Sequence, residues 1–169
     1  VYNAPQSRSR RARAAAIPSA YQIDKSVYPA VKNQGSYGTC WAFAALGLAE
    51  FDMITRGMKS NTLDLSELQL AYFTYNFVKD PLGGTEGDSA KYYNKNTRTP
   101  YLSYGGNYAW ASRRLAQWIG ATDESIVPYS QAEGTITKGL NEQYAYNFDT
   151  AHLENAYIIN IKENADGVK

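Results

Sequence analysis

The stretch Asn33-Gln34-Gly35-Ser36-Tyr37-Gly38-Thr39-Cys40-Trp41-Ala42-Phe43 decides how the chain reads. Its first half is a turn-rich loop of small and polar residues. Its second half opens an amphipathic helix: Phe43, Leu46, Glu50, Met53 and Ile54 fall at helical spacing, and Gly57 supplies a C-terminal stop. Cys40, the one cysteine of the 169-residue chain, is therefore expected in the first turn of a helix, directly after a glycine-containing loop. The unpaired N–H groups and partial positive charge of a helix N-terminus favour an anion, and the thiolate is the nucleophilic form of cysteine. Gly38 lets backbone approach a substrate carbonyl. The N–H groups of the turn can donate to a developing oxyanion, and the neutral amide of Gln34 can add a side-chain donor. A lone cysteine is more often a small buried hydrophobe. The residues around Cys40 are what favour a reactive one.

On the N-terminal side, residues 1–16 carry Arg8, Arg10, Arg11 and Arg13 in a Ser/Ala background without apolar periodicity. They read as a disordered basic leader or the remnant of a pro-segment, and Ile17-Pro18-Ser19 starts an extended segment. On the C-terminal side, Ser66-Glu67-Leu68-Gln69 has the form of a capping box, with Leu65 and Leu70 placed as a hydrophobic staple. Between 80 and 104 the composition shifts to Gly, Asp, Asn, Thr and Lys, which reads as a surface insertion. Its Asp80, Glu86 and Asp88 do not follow a calcium-loop spacing and read as solvated carboxylates, so no metal is expected. Gly105-Gly106 precede a third helix, expected from Tyr108 to Ile119 and closed by Gly120. Val127-Pro128-Tyr129 reads as a connector. Asn155 to Lys162 alternates, with Tyr157, Ile159 and Ile161 on one side, and reads as a strand.

The segment 33–43 resembles the nucleophile segment of papain-like cysteine peptidases, whose signature places Gly, Cys and an aromatic residue as Gly38, Cys40 and Trp41 do. Gln34 also falls at the family's spacing. Two positions depart from the pattern. Tyr37 stands where many members have a cysteine that forms a disulfide, and Thr39 replaces a Ser or Ala. Single-cysteine versions of this segment resemble secreted bacterial members, including clostridial surface peptidases. Leu65-Ser66-Glu67 is similar to the start of the family's second helix, Gly105-Gly106-Asn107-Tyr108 to its glycine pair for extended substrate backbone, and Val127-Pro128-Tyr129 to the Tyr-Pro-Tyr that follows. The resemblance implies an α+β fold. A helical left domain over 17–129 would carry the central nucleophile helix and the insertion 80–104, and a β-rich right domain would begin over 130–169.

It also implies peptide-bond hydrolysis through a thioester, with Cys40 as nucleophile and Gln34 as oxyanion donor. Gly38, Trp41, Gly105, Gly106 and Tyr108 would lie against the substrate, and no cofactor is expected. The mechanism further needs a histidine oriented by an asparagine. The chain has one histidine, His152, which falls short of the about 130–150 residues that separate the family's nucleophile from its base. Thr150-Ala151-His152-Leu153-Glu154 also lacks the small apolar residues that follow the family's catalytic histidine, so His152 is read as a bystander. The base is then expected elsewhere: on further sequence, or on a second chain of the same precursor. An inactive substrate- or cell-wall-binding module is the alternative. The 17 basic and 16 acidic residues nearly cancel, which gives no field for a nucleic-acid partner. No apolar stretch reaches the roughly 18 residues of a membrane span. The expected partner is a protein or peptide substrate, and the expected location is secreted or at a bacterial cell surface with the leader removed.

Overall fold

The computed structural model describes residue 20, residues 22–84, residue 90 and residues 100–158. Asp24–Tyr157 make up one compact unit. The basic leader 1–16 and Ile17-Pro18-Ser19 lie outside the described residues. The helices are α1 (Cys40–Thr55), α2 (Glu67–Tyr75), α3 (Tyr108–Ala116) and α4 (Ala132–Lys138), with 3-10 turns at Lys25–Val27, Tyr101–Ser103, Tyr129–Gln131 and Glu142–Ala145. Helices α1, α2 and α3 pack against one another, while α4 and the turns around it cover α2 and Tyr101–Ser103.

Helix α1 begins at Cys40, as its sequence predicts, and buries Trp41, Ala42, Leu46, Glu50 and Ile54. It ends at Arg56, where Gly57 takes the left-handed conformation (φ +69°) that stops a helix. Helix α2 lies at the centre, with eight of its nine residues buried, which suits a segment without a polar face. The Ser66 hydroxyl caps it by accepting from the Gln69 N–H at 3.1 Å, and itself donates to the Val127 carbonyl at 2.6 Å. The other half of the expected capping box does not form. The Gln69 side chain is fully buried and donates to the Tyr144 carbonyl at 3.0 Å. A tertiary partner has replaced the local one.

Glu50 and Glu67 are both buried, and Lys32 is what makes that tolerable. Its ammonium lies 2.6 Å from Glu50, 2.6 Å from Asp64 and 2.8 Å from Glu67, and donates to the Leu65 carbonyl at 3.0 Å. The same Glu50 oxygen accepts from the Leu65 N–H at 2.6 Å. One cation thus joins the N-terminal segment, α1, the 64–65 connection and α2. Losing one partner of such a buried set leaves uncompensated charge, which costs about 3–5 kcal/mol.

Several expectations need correction. Helix α3 is three residues shorter than expected, because Trp118 turns into the left-handed region (φ 58°). That turn directs Ile119 into a small cluster with Phe73, Val78 and Ala145. Part of the expected insertion belongs to the core: Tyr101 and Leu102 are buried, and so is Asp80, which accepts from the Leu82 N–H at 2.8 Å. Glu86 and Asp88 lie outside the described residues. The β-rich region expected from residue 130 is not found among the described residues. Residues 129–145 are mainly helical, and pairing is limited to isolated antiparallel bridges, Leu65 with Asp123 and Thr122 with Asp149. Ala132, Ile136, Leu140 and Tyr144 pack into the same core as α1–α3. Residues 155–158 adopt no regular structure, and residues 159–162 of the expected strand lie outside the described residues.

Burial, with a weaker contribution from the Glu50 charge, pushes Glu67 up to about 7 against the pull of Lys32. Burial alone would lower Lys32, but its bonds to Asp64, Glu50 and Glu67 outweigh that and keep it charged. Burial also raises Glu124 and Asp149. A carboxyl raised on folding binds its proton more tightly in the folded state. The stabilising contribution of Glu67 is therefore complete below its ordinary value of 4.5 and is lost as pH rises through about 7. The thermal midpoint is predicted to fall as pH rises between those values, and Glu67→Gln to flatten the fall. A midpoint that climbs over the same interval in the unaltered protein contradicts the assignment.

Candidate active site

Cys40 is exposed at the first position of the 16-residue helix α1. The loop before it is bonded to itself. The Gln34 side-chain amide donates to the Tyr37 carbonyl at 2.8 Å, and Asn33 Oδ1 accepts from the Gly35 N–H at 2.9 Å. A primary amide has two N–H donors. The bond to Tyr37 engages one and leaves the other for a further acceptor. Thr39 caps α1 by position, yet its buried hydroxyl makes no bond to the helix and lies 2.6 Å from the Tyr129 hydroxyl.

The glycines act by close approach. A Cβ on Gly38 would meet the Ser103 carbonyl oxygen at 3.2 Å and the Gly105 nitrogen at 3.3 Å. The Cys40 loop therefore rests directly on the backbone of 103–105. A Cβ on Gly106 would fall 2.3 Å from the Trp41 indole, so any side chain there would displace the ring. Trp41 is buried, and its edge-on contact with Tyr75 at 6.5 Å ties it to α2. Gly105 has φ +89°, which favours glycine, and its carbonyl accepts from the Tyr75 hydroxyl. The N–H and C=O of Gly106 take no hydrogen bond among the described residues. Asn107 caps α3 by accepting from the Trp110 N–H at 3.1 Å, which leaves Tyr108 exposed at the helix start.

The fold thus brings Gly38, Trp41, Gly105 and Gly106 together beside Cys40. Gln34 sits in the loop that rests on them, and Tyr108 follows on α3. His152 sits apart in its contacts. It stacks on Trp118 with ring centroids 4.5 Å apart and lies 3.7 Å from the Asp149 carboxylate. Among the described residues no hydrogen bond or ring contact joins it to the Cys40 loop.

Two tyrosines to which the sequence reading gave no role in the site also shape it. Tyr129 donates to the Gln34 carbonyl at 3.0 Å, sets its ring edge-on to Phe43 at 5.0 Å, and receives Glu124 Oε1 on its own N–H at 2.6 Å. Tyr37 donates to Glu133 on α4, a bond that pushes its hydroxyl up to about 12 and so keeps the proton on the tyrosine. In the sequence, Val127-Pro128-Tyr129 reads as a connector similar to the family's Tyr-Pro-Tyr, and nothing in it points back to residues 34 and 39.

The family profile described as papain family cysteine protease matches residues 17–158. A protein named Cathepsin L 2 from Paramecium tetraurelia is 41% identical over 124 residues, which is 72% of this chain and 31% of the relative. Cathepsin L 1 from the same organism is 42% identical over 66 residues, 39% of this chain and 20% of the relative. A cysteine protease from Blomia tropicalis is 46% identical over 46 residues, 27% of this chain and 13% of the relative. The chain thus spans about a third or less of the length of these curated relatives. All three are eukaryotic, so they lend no support to the bacterial surface likeness expected from the single-cysteine segment. No solved structure matches the chain. The profile covers most of the chain, including the Cys40 loop, α1–α3 and the glycine pair, and the chain belongs to the papain family of cysteine proteases.

Proposed function

We propose that this chain supplies the nucleophile half of a cysteine peptidase acting on protein or peptide substrates. The observation that carries the reading is the exposed Cys40 at the start of α1, beside a glycine pair whose Gly106 has both main-chain groups unbonded among the described residues. Cys40 Sγ attacks the scissile carbonyl. The second N–H of Gln34 and the backbone N–H of the helix start hold the oxyanion, where water-excluded donors act most strongly. The amine leaves with a proton, and water then hydrolyses the thioester. Gly105 and Gly106 line the extended substrate backbone over the Trp41 face, with Tyr108 at its edge. The histidine that takes the thiol proton and returns it to the amine, and the asparagine that orients it, lie on further sequence or on a second chain of the same precursor. The packing of 130–157 onto the helical core favours extending the left domain from 17–129 through that region, with the β-rich right domain beyond it.

Cys40→Ala is expected to abolish peptide hydrolysis by the full-length enzyme while leaving its thermal midpoint in place. Gln34→Ala should lower turnover by about 10²–10³, as removal of one oxyanion donor does, with little change in KM. Full activity without Cys40, or a defect of Gln34→Ala confined to KM, would refute the reading.

His152 takes no part in the chemistry. Its replacement by alanine should leave the pH–rate profile of the full-length enzyme where it was. If His152→Ala is as inactive as Cys40→Ala, the base has been misplaced.

We further propose that residues 1–16 are a pro-segment remnant of a secreted precursor, cut among Arg8, Arg10, Arg11 and Arg13. N-terminal sequencing after incubation of the precursor, wild type beside Cys40→Ala, distinguishes the routes. New ends in wild type alone mean self-processing, and the same ends in both mean another protease. No cleavage in either rejects the proposal.

A further inference from the structure

The hydroxyl of Tyr129 touches both ends of the Cys40 loop. It lies 3.0 Å from the Gln34 carbonyl and 2.6 Å from Thr39 Oγ1. The chemistry of the three groups fixes the direction of both bonds. A carbonyl can only accept, so Tyr129 spends its single proton on Gln34. Its oxygen must then accept from the Thr39 hydroxyl. The result is a directed relay, Thr39 O–H to Tyr129 O–H to Gln34 C=O, in which each bond polarises the next. Burial raises Tyr129 above the ordinary tyrosine range, so the proton the relay needs stays in place.

The relay joins the two residues whose separation matters most to the chemistry. Thr39 immediately precedes the nucleophile, and Gln34 carries the side-chain donor. Thr39 has the position of a helix cap but gives its hydroxyl to Tyr129 instead. The anchor is itself held on three sides. The Tyr129 N–H is fixed by Glu124 Oε1 at 2.6 Å, its ring meets the edge of Phe43 on α1, and Pro128 precedes it with φ −63°.

We propose that Tyr129 is a positioning residue, whose hydroxyl sets the register between the Gln34 amide and the Cys40 sulfur and so tunes oxyanion stabilisation without touching substrate. The inference rests on the roles given above to Cys40 and Gln34. It predicts a turnover defect that acts through Gln34.

The test uses the full-length enzyme with Tyr129→Phe, which keeps the ring on Phe43 and removes only the hydroxyl, and with Thr39→Val and Thr39→Ser. Tyr129→Phe and Thr39→Val should each lower kcat about tenfold, roughly the worth of one hydrogen bond made in the transition state, with KM within about twofold. Thr39→Ser should restore wild-type turnover. Alkylation of Cys40 by iodoacetamide, which forms no oxyanion, should stay within about twofold of wild type in all three. Adding Tyr129→Phe to Gln34→Ala should cause no further loss, because residues acting as one unit are not additive. Unchanged kcat, losses that multiply in the double variant, or alkylation slowed as much as turnover would each overturn the proposal. If Gln34→Ala alone keeps full turnover, the oxyanion role of Gln34 fails on that variant, and the relay loses its function with it.

Discussion

The ammonium of Lys32 is the interaction on which the rest of the architecture depends. Without it, Glu50 on α1 and Glu67 on α2 would be buried unpaired, at a cost of about 3–5 kcal/mol or the uptake of a proton. With it, the two helices are held at a fixed spacing, together with Asp64 and the Leu65 backbone. Burial, with a small addition from the Glu50 charge, makes Glu67 hold its proton more tightly even beside Lys32. Such a buried set adds little net stability, because a packed apolar replacement often serves as well or better. The Lys32 set ties α1, through Glu50, to the N-terminal segment, the 64–65 connection and α2.

A second set of contacts works on the loop ahead of the Cys40 thiol. Gly38 lies against the backbone of 103–105, Trp41 fills the space over Gly106, and Tyr129 spans Gln34 and Thr39. These contacts differ in kind. The glycine contacts are steric and allow no substitution without movement, whereas the tyrosine bonds are directional and each worth about 1 kcal/mol. Coarse placement comes from packing and fine placement from the Tyr129 hydroxyl and the Glu133 carboxylate on the segment 129–133. That segment is distant in sequence from the nucleophile but adjacent to it in space.

The parts legible in the sequence are those governed by local chemistry. The start of α1 at Cys40, its stop at Gly57, the Ser66 cap and the start of α3 after Asn107 all follow from residue types within a few positions. The parts that were not legible depend on partners far away in the chain. Gln69 leaves its local bond for Tyr144, and Trp118 accepts a left-handed φ so that Ile119 can reach its cluster. Helix α4 is the clearest case. Gly134, Thr135, Ile136 and Thr137 make a poor helix on propensity. Burial of Thr135 and the packing of Ile136 on the core stabilise it instead. Of the site itself, Cys40, Gln34 and the glycine pair were readable from one motif and one resemblance. Tyr129 was not, because only the fold brings residues 34, 39 and 129 together.

The bond from Tyr37 to Glu133 is non-covalent and reversible, and this bears on how the loop responds to its chemical surroundings. With a single cysteine in the chain, no intrachain crosslink competes with Cys40 for oxidants or for reductants. The thiol can be kept reduced by strong dithiol agents without loosening the loop that presents it. Thiol–disulfide exchange has no second sulfur within the chain to capture. No thiol–disulfide couple within these residues can therefore loosen the loop, and the oxidisable sulfurs exposed on this portion are the Cys40 thiol and the Met58 thioether.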